Sequence, residues 1–301
     1  MQSQPIDFHP PSEDTPLFLL PARKTIFAER AERFASLANE HSLADWLRFL
    51  GRLTAAQHTA LQGLADLPLP DAEALSRAHT HGMPLLDTQT LPTAWHGVAR
   101  QIAAELQADA PPTARAALET LATASDDELD RLTDALQSGE ANAEQLARLP
   151  YVAAALQVMF TALASQLDAA QLRRLEPHGV CPCCGSLPVS SIVRLSPAVN
   201  NLRYLHCSLC NTEWNVSRAM CTACDSDKAV SQHQIEGGKD SIRAETCDSC
   251  KSYLKIAYQS KDPLVDPVAD DLATLALDLL VDEAGYERSG PNLLLIGGAA
   301  Q

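Results

Sequence analysis

Residues 181–184 read Cys-Pro-Cys-Cys, 207–210 Cys-Ser-Leu-Cys, 221–224 Cys-Thr-Ala-Cys and 247–250 Cys-Asp-Ser-Cys, and these runs hold all nine cysteines of the chain. Eight of the nine form Cys-x-x-Cys pairs: Cys181/Cys184, Cys207/Cys210, Cys221/Cys224 and Cys247/Cys250. Twenty-two residues separate Cys184 from Cys207, and twenty-two separate Cys224 from Cys247. The second half therefore repeats the first at an offset of forty residues, and the repeat is one module written twice. A Cys-x-x-Cys turn aims two sulfurs at one point, so two turns supply a tetrahedral set of four ligands. The equal spacers predict sequential pairing. Cys181, Cys184, Cys207 and Cys210 then hold one metal ion, and Cys221, Cys224, Cys247 and Cys250 hold another. A crossed pairing would make the repeat a coincidence.

The spacers read as β-hairpins. Val189 to Leu195 and Leu202 to His206 flank a turn near residues 197–201. Ala229 to Glu236 and Ser241 to Thr246 flank Gly237-Gly238, a two-residue hairpin signal. A short hairpin carrying metal knuckles is a zinc-ribbon or rubredoxin-like unit. Such a unit has too little core to fold alone, and binding of a structural metal, roughly 10–16 kcal/mol in small zinc peptides, becomes its folding energy. The residue after each second cysteine is expected at positive φ. Gly185, Asn211 and Asp225 suit that position, and Lys251 does not, which makes the last knuckle the least regular. Trp214 and Tyr253 follow knuckles and are expected to cap the small cores by packing.

Disulfide scaffolding is the plain alternative. The odd cysteine count, the length of the chain and the absence of a recognisable export signal argue against it. A single Cys-x-x-Cys would leave thiol–disulfide exchange open, whereas four in this array favour metal. Cys183 is the spare thiol and reads as a bystander. His178 and His206 adjoin the ligand cysteines and, with four sulfurs at hand, read as supporting or surface residues. Tetrahedral sulfur suits both zinc and iron, and the spacing does not choose between them.

The chain has 301 residues, a formal net charge of −15 and a pI near 4.9. Residues 181–262 carry nine Lys and Arg against eight Asp and Glu. No basic stripe is present, which argues against nucleic acid as a partner. No apolar run reaches a membrane-spanning length, so membrane insertion is not expected. With no signal segment recognised, a cytoplasmic location is the expectation. Monomer and homodimer are both compatible with the sequence.

Residues 1–22 are proline-rich and read as an extended arm, followed by an α-helical domain over 23–178. Phe27, Ala31, Phe34 and Leu37 form one helical stripe. Leu43, Trp46, Leu47, Leu50 and Leu53 form another, entered through Ser42. Ser125 and Glu128 make a capping box. Residues 151–168 are the most apolar span and are expected to be the central buried helix. His79 and His81 stand two apart, which diverges on a helix, and read as surface groups. The first four-cysteine rubredoxin-like module is expected over 179–218 and the second over 219–262. A C-terminal helix and tail fill 263–301, with Leu272, Leu275, Leu279 and Leu280 on one helix face and Leu293 to Ile296 as a short apolar strand or anchor. The expected class is thus α plus small β: an N-terminal all-α domain, two tandem four-cysteine modules with short β-hairpins, and a final helix. No phosphate loop, nucleophile elbow or His-Glu-x-x-His is present, so no catalytic residue is assigned.

These residues resemble a known family. Cys181-Pro182-Cys183-Cys184-Gly185-Ser186, then Arg203-Tyr204-Leu205-His206-Cys207-Ser208-Leu209-Cys210-Asn211-Thr212-Glu213-Trp214, and Arg218 before Cys221 are similar to the formate dehydrogenase accessory (formation) proteins. So are Glu245-x-Cys247-x-x-Cys250-x-x-Tyr253 and the run from Ala269 to Asp278. The resemblance implies a cytoplasmic, non-enzymatic factor for maturation of respiratory formate dehydrogenase, an enzyme exported after folding. It implies binding to that enzyme's catalytic subunit, and iron at both sites, one ion each, with zinc as the alternative. The eight paired cysteines carry over as the metal ligands. A rubredoxin-like electron carrier using iron at the same sites is the competing reading.

Overall fold

The computed structural model describes residues 15–195, 201–218, 220–238 and 240–296. Leucine and alanine at helical spacing build α1 Ile26–Leu37, α2 Ala44–Gly63, α3 Ala72–His81, α4 Ala94–Leu106, α5 Pro112–Ala122, α6 Asp126–Ser138, the single turn α7 Ala143–Leu146 and α8 Leu149–Ser165. Pro112 opens α5, where a missing N–H costs nothing. Ser125 accepts the N–H of Glu128 at 3.3 Å, but the Glu128 carboxylate turns to Arg148, so only half of the expected capping box forms. Ser42 does not cap α2. Leu43 takes that position, and its N–H goes to His41 Nδ1 at 3.0 Å.

The expected central helix is α8. Every residue from Tyr151 to Ala164 is buried, so the helix has no solvent face and is surrounded by its neighbours. Two of its polar side chains reach outward from this core. Gln157 receives Gln57 Nε2 on Oε1 at 2.9 Å and donates to the carbonyl of Ser208 at 2.7 Å. Thr161 Oγ1 receives Asn211 Nδ2 at 2.8 Å. The helical half is thereby bonded to the cysteine-bearing half at a buried seam.

That second half is one mixed sheet. Its strands are β1 Phe18–Leu19, β2 Pro188–Arg194, β3 Leu202–Cys207, β4 Glu213–Asn215, β5 Val230–His233, β6 Ile242–Cys247, β7 Ser252–Tyr258 and β8 Glu287–Arg288. They run in the order β1-β4-β3-β2-β7-β6-β5, with β8 beside β7. Each module supplies three consecutive antiparallel strands, and β2 pairs with β7 in parallel to weld the two modules into a single surface. The buried pair Arg203–Glu245, 2.6 Å apart, links the modules again. The second hairpin differs from its expectation. β5 ends at His233 and β6 begins at Ile242, so an eight-residue loop replaces the two-residue turn; Gly237 within it does take φ +75°.

The sheet has two packed faces. One joins the helical core, where Leu205, Trp214, Leu254 and the first module's cysteines share a cluster with α2, α4 and α8. The other buries Tyr204, Ala244 and Tyr253 against Leu277 and Val281. The expected C-terminal helix is broken into α9 Ala269–Leu272 and α10 Leu275–Glu283. Thr274 Oγ1 donates to the carbonyl of Asp270 at 2.8 Å, and buried Lys255 Nζ takes the carbonyls of Asp271 and Thr274 at 2.8 and 3.1 Å. The break resets the helical phase. Leu272 stays buried, but Leu279 and Leu280 are 67% and 52% exposed, and Leu277 and Val281 take the inner face instead. Leu293 to Ile296 form turns rather than a strand, and they pack on this chain's own main core.

Arginines on α1 fasten the C-terminal segment. Arg30 pairs with Asp266 at 3.0 Å, and Arg33 pairs with Asp262 and Asp270 at 2.5 and 2.6 Å. Arg33 and Asp270 are both buried, so removing either partner strands a charge, which typically costs about 3–5 kcal/mol.

Candidate metal centres

The knuckles share two closing bonds, both of which form at Cys181–Cys184 and Cys221–Cys224 and one at each of the other two. The N–H of the residue after the second cysteine reaches the carbonyl of the first: Gly185 to Cys181 at 2.8 Å, Asp225 to Cys221 at 3.0 Å, Lys251 to Cys247 at 2.9 Å. The N–H of the first cysteine reaches a carbonyl beyond the knuckle: Cys181 to Ser186 at 3.0 Å, Cys207 to Thr212 at 3.0 Å, Cys221 to Ser226 at 2.8 Å. This closure requires positive φ, and Gly185, Asn211 and Asp225 show it at +79°, +58° and +57°. Lys251 shows it too, at +55°, although its residue type is not expected to suit that position. Its ammonium lies 2.7 Å from Asp248 and 5.1 Å from the Tyr286 ring centroid. Those contacts and the closing bond offset a left-handed cost of about 1–2 kcal/mol.

The knuckles bring the sulfurs together in sequential pairs. Cys181, Cys184, Cys207 and Cys210 form one group, Cys221, Cys224, Cys247 and Cys250 the other, and within each the Sγ atoms lie within 4.8 Å of one another. The cross-knuckle separations are 3.6 Å for Cys181–Cys210, 3.5 Å for Cys184–Cys207, 3.7 Å for Cys221–Cys250 and 3.7 Å for Cys224–Cys247. A tetrahedron with metal–sulfur bonds of about 2.3 Å has edges of about 3.8 Å. The donor set therefore fits one tetrahedral ion in each group. None of the cysteines is in a disulfide.

The electrostatics agree. Burial pushes the Cys181 and Cys207 thiols well above the ordinary thiol range, and Cys221 up to about 12. Cys210 and Cys250 move the other way, Cys250 to about 7: burial opposes ionisation of both, but hydrogen bonds from the neighbouring cysteines and, at Cys250, first from Ser252 outweigh it. Four packed sulfurs cannot all ionise without compensation, and a bound cation supplies it while releasing their protons. Backbone N–H groups already point at the sulfurs: Leu209 and Cys210 at Cys207 Sγ and Ala223 at Cys221 Sγ, each at 3.4 Å.

One repeated residue type is not among the expected site residues. A hydroxyl stands two positions after every second cysteine: Ser186, Thr212, Ser226 and Ser252. Three of them lie beside sulfur, Ser186 3.5 Å from Cys184, Thr212 3.2 Å from Cys210 and Ser252 2.9 Å from Cys250. The fourth, Ser226, meets Ser249 Oγ at 3.1 Å across the knuckle tips. Aligning the two modules at their forty-residue offset exposes this pattern.

The remaining expected residues fall as follows. Cys183 is buried, belongs to neither group, and accepts the N–H of Leu86 on its carbonyl at 2.8 Å. His206 is buried and ligand-free, with Nδ1 2.8 Å from Glu213 and Nε2 3.0 Å from Asn211 Oδ1. His178 lies between Glu176 at Nε2, 3.2 Å, and Asp225 at Nδ1, 3.4 Å; one ligand atom from each of the three lies within 4.8 Å of the others, at a position where both carboxylate residues are exposed. Trp214 is buried and donates Nε1–H to the His178 carbonyl at 2.9 Å, and Tyr253 donates to Asp278 at 2.8 Å. His79 and His81 are exposed on α3.

A helical domain fused to a sheet that carries two four-cysteine knuckle clusters defines the class: a two-centre, cysteine-knuckle protein. Family models cover nearly the whole chain: "FdhE, N-terminal" over residues 15–177, "FdhE, central domain" over 180–218 and "FdhE, C-terminal domain" over 219–295. The chain belongs to the FdhE family. It is 38% identical over 291 residues to a protein named as an FdhE homolog from Serratia proteamaculans, spanning 96% of this chain and 94% of that one. It is 41% identical over 283 residues to another from Edwardsiella ictaluri, spanning 93% and 91%. Among solved structures, the FdhE protein from Pseudomonas aeruginosa matches with a TM-score of 0.79 and 36% identity, covering 93% of this chain and 98% of that chain.

Proposed function

We propose that this protein is a cytoplasmic accessory factor for the formation of active respiratory formate dehydrogenase, that it is not itself an enzyme, and that it binds the catalytic subunit of that enzyme. Membership of the FdhE family supports the reading. The observation that carries it is the pair of four-sulfur groups built into a sheet that is bonded to the helical body at α8. Cys181, Cys184, Cys207 and Cys210 hold one ion, and Cys221, Cys224, Cys247 and Cys250 hold the second. Iron is the ion proposed, with zinc as the alternative. In each group the ion cross-links two knuckles, and at the second, whose tips are exposed, it supplies stiffness that the peptide lacks. Arg30, Asn211 and Gln157 then fix the sheet against the helices. The result is a rigid surface for another polypeptide.

No helix among the described residues is long and apolar enough to cross a membrane. A pull-down with the catalytic subunit tests the reading. Wild-type protein retains the subunit, and Cys247→Ala with Cys250→Ala weakens capture. Undiminished capture by that variant removes the metal-bearing head from the recognition surface. The electron-carrier reading draws on the exposure of Cys224 and Cys250. A redox titration of anaerobically purified protein decides it, since a colourless, redox-silent protein excludes it.

A further inference from the structure

The two sulfur groups are built alike but placed differently. All four cysteines of the first are buried, whereas Cys224 and Cys250 of the second are exposed. The surroundings follow the same division. In the first module residues 181–184 and 207–212 are buried without exception. Leu86 bonds the Cys183 carbonyl at 2.8 Å, Gln157 bonds the Ser208 carbonyl at 2.7 Å, and Asn211 bonds Thr161 at 2.8 Å. Gly185 sits so close to the 82–88 loop that a Cβ there would lie 2.9 Å from Pro84 Cγ. These cysteines are part of the main hydrophobic core.

The second module has no such cover. Ala223, Cys224 and Asp225 are exposed on one knuckle, and Asp248, Ser249, Cys250 and Lys251 on the other. The forty-residue offset shows the exchange of residue types behind this. Cys183 corresponds to Ala223, Gly185 to Asp225, Leu209 to Ser249 and Asn211 to Lys251. Buried Leu209 and Asn211 of the first module become exposed Ser249 and Lys251 in the second, and buried Cys183 becomes exposed Ala223. The Ser226–Ser249 hydroxyl contact at 3.1 Å is the bond that closes the outer rim.

We propose that the second centre is exchangeable and the first is locked. The proposal rests on the reading that both groups bind metal. An incoming soft donor, of the thiolate class, reaches the second ion along the edge between Cys224 and Cys250. One ion–sulfur bond would form as the bond to Cys224 or Cys250 breaks, and the displaced cysteine would keep the electron pair and take a proton from water. The fold need not open, because both cysteines are exposed. Exchange at the first centre requires the knuckles to separate from α8 and the 82–88 loop, a local unfolding with its own free-energy cost. The second centre is therefore suited to take up or hand over its ion through a sulfur ligand of another molecule, while the first holds the fold.

The test uses the full chain loaded with zinc and needs no substitution. Bound metal is counted first, then an excess of the chromophoric chelator 4-(2-pyridylazo)resorcinol is added. Release is followed by absorbance, with timed N-ethylmaleimide quenching and mass-spectrometric mapping of the labelled cysteines. Two phases of one ion each are expected, the slow phase at least about tenfold slower. Cys221, Cys224, Cys247 and Cys250 become labelled in the fast phase. Cys181, Cys184, Cys207 and Cys210 become labelled in the slow phase, and the bystander Cys183 with them, since it reports opening of the same cover. A single phase releasing both ions, or earlier labelling of the first group, overturns the inference and leaves metal binding intact. Fewer than two bound ions before chelator overturns the metal reading and the inference together.

Discussion

Asn211 Nδ2 donates to Thr161 Oγ1 at 2.8 Å, joining the tip of a cysteine knuckle to the buried interior of α8. The same amide accepts Arg30 Nη2 on Oδ1 at 2.9 Å and lies 3.0 Å from His206 Nε2. Its backbone meanwhile holds φ +58°. Glycine would satisfy the backbone and lose all three side-chain contacts. Asn211→Ala loses both and leaves buried donors unpaired, so it is expected to lower stability by about 2–4 kcal/mol. Asn211→Gly is expected to recover about 1 kcal/mol of that. Chemical denaturation of both variants measures the difference; equal losses would show that the backbone contributes nothing.

Gly185 and Gly237 make a matched pair. Both have positive φ, +79° and +75°, but a Cβ on Gly185 meets Pro84 at 2.9 Å while one on Gly237 meets nothing within 4 Å. Gly237→Ala carries only the left-handed strain of about 1 kcal/mol. Gly185→Ala carries that strain and displaces the 82–88 loop, so its melting temperature falls further. Matching melting temperatures for the two variants would deny the loop contact.

Asp271 is a buried carboxylate facing two cations. Lys255 Nζ lies 3.3 Å and Arg288 Nη2 2.8 Å from its Oδ1. Burial opposes its ionisation, but Lys255 and Arg288 outweigh burial and hold its pKa below the ordinary 3.8. A depressed folded-state pKa contributes stability that is fully present above the unfolded value, and is lost as pH falls below it. Asp271→Asn is expected to cost about 3 kcal/mol at neutral pH by leaving cations under-compensated. The gap between wild type and variant stays level above about pH 5 and narrows as pH falls below the unfolded value near 3.8. Urea unfolding of both proteins across this range checks the sign; a gap that widens toward acid contradicts it.

The two faces of α10 are separable by substitution. Leu277 is buried on the sheet, so Leu277→Ala is expected to cost about 2–4 kcal/mol. Leu279→Ser and Leu280→Ser, at exposed positions, are expected to stay within about 0.5 kcal/mol of wild type. Thermal unfolding distinguishes them, and a large loss at Leu279 would restore the single helix face of Leu272, Leu275, Leu279 and Leu280.

Much of the molecule is legible in its sequence. The cysteine spacing specifies the pairing of knuckles, because a repeat at forty residues has one simple closure. The helices follow from their leucine spacing, and α8 from the absence of any polar face. What fails is whatever depends on contacts remote in sequence. The parallel seam between β2 and β7 leaves no local trace, since each strand's alternation is compatible with either neighbour. The break between α9 and α10 is set by Lys255 reaching the carbonyls of Asp271 and Thr274, which no helical periodicity records. Lys251 is misread because propensity weighs the isolated residue, while the knuckle weighs its closing bond. The burial difference between the two centres is written in the repeat itself: Leu209 against Ser249 and Gly185 against Asp225 mark which tips are covered.

Metal content bears most directly on the account. Anaerobically purified full-length protein, assayed by elemental analysis, is predicted to contain two ions per chain, and Cys221→Ser with Cys224→Ser is predicted to retain one. Wild-type protein that is metal-free yet fully folded, or a double variant that still binds both ions, would contradict it.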